Sequence, residues 1–198
     1  MEVNEAARKF ERGKRYTYAD YCTWGDDVRC ELIDGVVYDM SPAPGWVHQG
    51  LSMNLLGQFF VFLEGKPCKV FHAPFDVRLS SEDDYTVVQP DIVVICDRSK
   101  ISGTGCIGAP DMVVEILSPS TASKDMLLKF IKYQKAGVRE YWIVDPQTKV
   151  IRVCILNNGK YDSIDYHDAD KIAANILDGF EIDIKRLFAD IETDTALF

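Results

Sequence analysis

Two carboxylates stand where a chain normally keeps apolar side chains. Glu115 interrupts Met112-Val113-Val114-Glu115-Ile116-Leu117, whose β-branched character and length describe a fully buried strand. Asp91 follows Pro90 at the mouth of a second such run, Ile92 to Ile95. An ionised carboxylate in an apolar interior is costly unless it is paired or bound to a metal. If the two strands are neighbours, the acids converge at one edge of the sheet. Paired carboxylates at that range share a proton or hold a hard cation such as Mg2+.

A cation to accompany them comes from helix periodicity. Asp125, Lys129 and Tyr133 repeat at i, i+4 and i+8, which predicts one polar stripe on the helix leaving the Glu115 strand. That helix packs back on the sheet and can bring an ammonium to the carboxylates. Each residue also has a plainer reading. Asp91 can serve a turn, Glu115 can be a buried salt bridge to Lys129, and a lone helical lysine is usually solvated. Glu31 reads as a cross-strand ion-pair partner ahead of a metal ligand, and His48 as a cap or core histidine ahead of a base. No Ser/His/Asp order, glycine-rich phosphate loop or HExxH occurs.

The surrounding elements follow from patterning. Thr17 is a candidate N-cap for a short helix over 16–27 that stops at Gly25-Asp26. Asp34-Gly35, between two β-rich runs, predicts a hairpin over 28–40. Leu51, Leu55, Phe59, Phe62 and Leu63 predict an amphipathic helix over 48–64. Strands are expected over 69–79, with an irregularity at Pro74, and over 87–95; residues 99–108 read as a glycine-rich loop. A helix from about 123 to 136 should turn Leu127, Phe130 and Ile131 inward, and a buried strand should follow over 140–145. Asn157-Asn158-Gly159 marks a second hairpin. An apolar run over 172–180 and a short helix over 184–188 close the chain. Strands alternating with two long helices indicate a mixed α/β sheet covered on its faces.

With 198 residues, 47% apolar and 27% charged, the chain fits one globular domain, read as 16–190 between tails at 1–15 and 191–198. No membrane-length apolar run and no signal-peptide pattern occur, which predicts a cytoplasmic location. The six cysteines contain no CxxC pair and are expected to be reduced. A net charge of −9 argues against strong unassisted binding to long duplex, although basic residues cluster over 8–15 and 124–139 as a local strip.

The segments Glu31-Leu32-Ile33-Asp34-Gly35, Ser41-Pro42, His48, Pro90-Asp91, Val114 to Thr121, Asp125, Lys129, Tyr133 and Gly137 to Trp142 resemble the Uma-type restriction endonuclease family of the PD-(D/E)XK nuclease superfamily. The resemblance covers residues 15 to 185. It implies a restriction-endonuclease-like α/β fold: a mixed central sheet with flanking helices, an N-terminal β-hairpin and a C-terminal β-hairpin extension. It makes Asp91 the superfamily aspartate and Glu115 its second acid. The lysine expected two positions after that acid is Leu117 here, and Lys129 on the following helix matches the displaced base.

The implied activity is metal-dependent endonucleolytic hydrolysis of phosphodiester bonds in DNA, leaving 5′-phosphate and 3′-hydroxyl ends. Mg2+ or Mn2+ would be held by Asp91, Glu115 and the Ile116 carbonyl, with Lys129 catalytic and Glu31, His48 and Tyr133 accessory. The resemblance also implies a homodimer, and the tail residues Phe188, Leu197 and Phe198 are candidate contacts. Two other classes stay open: a catalytically inactive nuclease-like binding or dimerisation module, and a metal-dependent phosphoesterase acting on a small substrate.

Overall fold

The computed structural model describes residues 10–11, 13–25, 28–40, 43–82, 84–118, 124–167 and 171–189, with side chains from 127 onward in the helix that begins at 124. Its centre is a six-stranded sheet. The strands are β3 (Lys69–His72), β6 (Ile92–Ile95), β9 (Met112–Ile116), β10 (Glu140–Asp145), β11 (Val150–Asn157) and β12 (Lys160–His167), in the order β12-β11-β10-β9-β6-β3. Every pairing is antiparallel except β9 with β10. Parallel neighbours need a crossover, and helix α3 (Lys124–Ala136) supplies it.

Helix α2 (Trp46–Leu63) covers one face with Leu51, Leu55, Phe59 and Leu63, packed on Ile92, Val94, Met112, Val114, Trp142 and Val144. The short pair β13 (Lys171–Ala173) and β14 (Glu181–Asp183), with helix α4 (Ile184–Phe188), closes the same side. The opposite face carries Val93, Val113, Tyr141 and Ile143 against Tyr133 and Phe130 of α3. These alternate strand positions fall on opposite sides because side chains of a strand alternate.

A second six-stranded sheet lies against that opposite face. It contains β1 (Cys30–Ile33), β2 (Val36–Asp39), β4 (Asp76–Arg78), β5 (Val87–Val88), β7 (Ile101–Ser102) and β8 (Gly105–Ile107), in the order β2-β1-β5-β4-β8-β7. Ile33, Val77, Val88 and Cys106 face the central sheet. Its outer side is closed by Tyr16, Leu32 and Val87 with Phe10, Tyr21 and Trp24.

Both predicted hairpins form, with Asp34/Gly35 at φ 54° and 77° and Asn158/Gly159 at φ 48° and 79°. Thr17 caps helix α1 (Tyr18–Tyr21) through a reciprocal box with Asp20, but the helix ends well before Gly25. The run 87–95 is two strands in two sheets. Pro90 cannot extend a ladder, and the chain crosses between the layers there. The N-terminal hairpin belongs to the second sheet and not to the central one, and residues 101–102 and 105–107 form strands where a loop was expected.

Three further expectations are corrected. Leu127 and Ile131 are exposed, because each lies two residues, or about 200°, from inward-facing Lys129. Phe188 is buried against the main core and belongs to no exposed tail; Leu197 and Phe198 lie outside the described residues. Cys68 and Cys96 are not reduced. The β3–β6 register pairs Lys69 with Ile95, which sets the next two residues opposite one another, and their sulfurs are bonded at 2.07 Å. Cys22, Cys30, Cys106 and Cys154 are free.

Candidate active site

Register brings the two acids together. β6 and β9 pair Ile92 with Val114, so the next step along both strands sets Asp91 beside Glu115. The Ile116 amide donates to Asp91 Oδ2 at 2.7 Å, which ties the end of β9 to the inter-sheet crossing. Glu115 shares the face of Val113 and Ile143, the side covered by α3 and the second sheet. Its partners come from there. Lys129 Nζ donates to Glu115 Oε1 at 3.0 Å, and the Tyr133 hydroxyl donates to the same oxygen at 2.7 Å.

Lys129 also meets Glu31 of β1, its Nζ lying 2.8 Å from Glu31 Oε1. Glu31 is not a cross-strand partner within its own hairpin, where it sits opposite Tyr38. It reaches across the layers instead, and its Oε1 accepts from the Gln89 amide at 2.8 Å. Gln89 Nε2 in turn donates to Asp76 Oδ1 at 2.8 Å, a carboxylate that also accepts from the Tyr21 hydroxyl. Sequence reasoning missed Gln89. The one available signal was its place immediately before Pro90-Asp91, where a backbone donor from the crossing strand can meet an acid of the other sheet.

His48 approaches from α2 on the far side. Its Nε2 is 3.2 Å from Asp91 Oδ2, while its buried Nδ1 has no hydrogen-bond partner among the described residues. It is neither a helix cap nor a plain core residue, since the N-cap position belongs to Gly45. Asp125 lies in α3, but its side chain is outside the described set.

The electrostatics follow from this crowding. Burial pushes the Glu115 carboxyl up to about 7, against the pull of Lys129; Asp91 and Glu31 add to the rise, and the Tyr133 hydroxyl opposes it. Burial acts to lower the Lys129 ammonium, but Glu115 and Glu31 outweigh it and hold the amine charged. For His48, burial likewise acts to lower the pKa, and hydrogen bonding and charge from Asp91, with a smaller contribution from Glu115, raise it overall. The Tyr133 hydroxyl is raised well above its ordinary value, first by burial and then by the adjacent carboxylates, so it remains a donor. The cluster is three carboxyl groups, one fixed ammonium and one imidazole whose pKa is raised by the neighbouring acid.

The donor set suits a hard cation. Two carboxylates from neighbouring strands match the one or two that Mg2+ takes from protein, the rest of its shell being water or substrate oxygen. Among the described residues no group of three or more His, Cys, Asp and Glu side chains forms a metal cage.

A helix, a three-stranded antiparallel unit, a crossover helix and a parallel fourth strand, with acids at the ends of the second and third strands, define a nuclease-like α/β fold. The model of the Uma2 family, described as "Putative restriction endonuclease", matches residues 16–185. An uncharacterized protein of Synechocystis sp., slr1290, is 28% identical over 157 residues, which span 77% of this chain and 81% of that one. The crystal structure of "a putative nuclease belonging to DUF820" from Anabaena variabilis matches with a TM-score of 0.71 at 20% identity, over 88% of this chain and 98% of that chain. The chain belongs to the Uma2 family, and its fold is nuclease-like. No helix among the described residues is long and apolar enough to cross a membrane.

Proposed function

We propose that this protein is a metal-dependent endonuclease that hydrolyses phosphodiester bonds in DNA. The observation carrying this reading is the meeting of Asp91 and Glu115 on adjacent strands, with the Lys129 amine 3.0 Å from Glu115. Asp91 and Glu115 would hold Mg2+ or Mn2+. When bound, such an ion supplies Lewis-acid stabilisation of charge on the phosphate and lowers the pKa of a coordinated water.

The chain's own residues do the remaining work. Lys129 places a permanent positive charge where negative charge gathers on the phosphoryl oxygens, and a preorganised charge in a water-poor site acts strongly. Glu31 holds that ammonium from the second sheet, so Lys129 stays in place when Glu115 engages other groups. Tyr133 fixes the Glu115 carboxylate by donating to Oε1. His48 holds Asp91 from the α2 side, its Nε2 3.2 Å from Asp91 Oδ2. Of the α3 lysines beyond Lys129, Lys132 is ion-paired with Asp34, and the exposed Lys135 offers charge to the DNA backbone despite the net −9.

Supercoiled plasmid incubated with purified protein and Mg2+ or Mn2+ tests the reading. Nicking or linearisation is expected. Asp91→Ala, Glu115→Ala and Lys129→Met should each abolish it in proteins that still melt cooperatively. Cleavage that survives the two alanine substitutions removes the assignment. A folded protein that takes up no Mg2+ in calorimetric titration leaves the inactive binding-module reading in its place.

A further inference from the structure

We propose that the outward face of α2 is the contact surface for a second copy of this chain, the two helices crossing antiparallel about a two-fold axis level with Leu55. Helix α2 runs 18 residues without a single Asp, Glu, Lys or Arg, in a chain that is 27% charged. Its inward face is spent on Leu51, Leu55, Phe59 and Leu63. The opposite face leaves Trp46, Met53, Phe60 and Val61 at 58%, 70%, 63% and 72% exposure. A strip of large apolar side chains left exposed on an uncharged helix marks an interaction surface.

Two glycines sit in that exposed face. A methyl group added at Gly50 or Gly57 would meet nothing within 4 Å, so no close approach inside the monomer needs them. Glycine within a helix costs about 1 kcal/mol relative to alanine. The cost makes sense if another backbone or side chain comes close at those points.

The spacing says what comes close. Trp46, Met53 and Phe60 recur every seven residues, as do Gly50 and Gly57, each glycine four residues after a large side chain. This is a heptad seam with knobs and holes on the same strip. Laid antiparallel on a copy of itself and centred on position 55, the strip sets Gly50 opposite Phe60 and Met53 opposite Gly57. Both holes receive a knob, and the match repeats by symmetry, as a closed two-fold contact requires.

Charge selects the same occupant. The face carries no cation for phosphate or an anionic lipid surface, and the chain's net charge of −9 repels both. Two copies repel each other least where neither carries charge. The aromatic Trp46 and Phe60 bury roughly 150–250 Å2 each when fully covered, and with Met53 and Val61 the four partly exposed side chains offer on the order of 450 Å2 per copy, or about 900 Å2 for the pair. With the glycine backbone and the flank at Gln49, that approaches the lower bound of about 1,000 Å2 for a specific contact.

Light scattering after size exclusion, run on the full chain, should report twice the 22.4 kDa chain mass. Phe60→Glu should return it to monomer. So should Gly57→Leu, which adds no charge and raises helix propensity, so its loss of dimer cannot be ascribed to unfolding. In a Cys22→Ser background, oxidation should cross-link Met53→Cys/Gly57→Cys but not Met53→Cys alone. A wild-type monomer at about 100 μM, a dimer that survives both disrupting substitutions, or efficient cross-linking by Met53→Cys alone overturns the proposal.

Discussion

Tyr133→Phe removes one hydroxyl from a fully buried ring and leaves its volume in place. The lost contact is the 2.7 Å donation to Glu115 Oε1, after which Lys129 is the remaining side-chain donor to that oxygen. A hydrogen bond to a charged group contributes about 1.5–3 kcal/mol, and about 1.4 kcal/mol corresponds to one pKa unit. The hydroxyl stabilises the ionised carboxylate, so its loss moves Glu115 upward from about 7, by at least about one unit. At pH 7 the ionised fraction then drops from about half to about a tenth. With Glu115 holding Mg2+ as proposed, the carboxylate must be deprotonated to bind, so Mg2+ affinity at pH 7 should weaken about fivefold and recover most of the deficit by pH 9. Carbon-13 NMR of the carboxyl gives the midpoint directly, and calorimetric titration at the two pH values gives the affinity. A Glu115 midpoint near 4.5 in the unaltered protein, or one that does not rise in Tyr133→Phe, refutes the reasoning.

Two other perturbations probe what holds the site's scaffold. Glu140 is fully buried and accepts from Trp142 Nε1 at 2.7 Å and from the Ile176 amide at 2.9 Å. Glu140→Ala strands both donors, at about 1–3 kcal/mol each; a lower denaturant midpoint and faster amide exchange at Ile176 are expected, and unchanged exchange there would count against the clamp. Gly105 has φ 144° and faces Asp76 across the parallel β4–β8 pairing, where an added Cβ would lie 2.1 Å from the Asp76 carbonyl oxygen. Gly105→Ala should therefore destabilise by well over about 1 kcal/mol in urea unfolding and disturb the Tyr21–Asp76–Gln89 contacts; a neutral result would mean the strand pair shifts freely.

The elements read most reliably from sequence are those fixed by local chemistry. Asp34-Gly35 and Asn158-Gly159 can take positive φ where most residues resist it, so both hairpins were legible. The strands β6, β9 and β10 were legible because burial on both faces demands unbroken apolar runs. The second sheet was not. Its strands β4, β5, β7 and β8 are two or three residues long, too short to show a period, and their pairing joins segments far apart in the chain. The Cys68–Cys96 bond was hidden for the same reason, since only the β3–β6 register puts the two cysteines opposite each other.

The site was legible in part, and the boundary is instructive. Glu115 announced itself because a carboxylate inside an apolar strand requires a partner, and the helix period then found Lys129 and Tyr133. The same period misjudged Leu127 and Ile131, each two residues or about 200° round the helix from Lys129, while Phe130 packs inward as expected. Charge prevails: each of two buried carboxylates left without a cation costs several kcal/mol, whereas two aliphatic side chains lose about 1.5–3 kcal/mol each only at full exposure, and both Leu127 and Ile131 keep part of their surface covered. Glu31 and Gln89 follow from that outcome. Once Lys129 points inward it meets the second sheet as well as the first, and the contact locks the orientation of α3 that apolar patterning could not specify. The arrangement that equips the site for chemistry is thus also what sets the helix's rotation, and a sequence read for burial alone had no access to it.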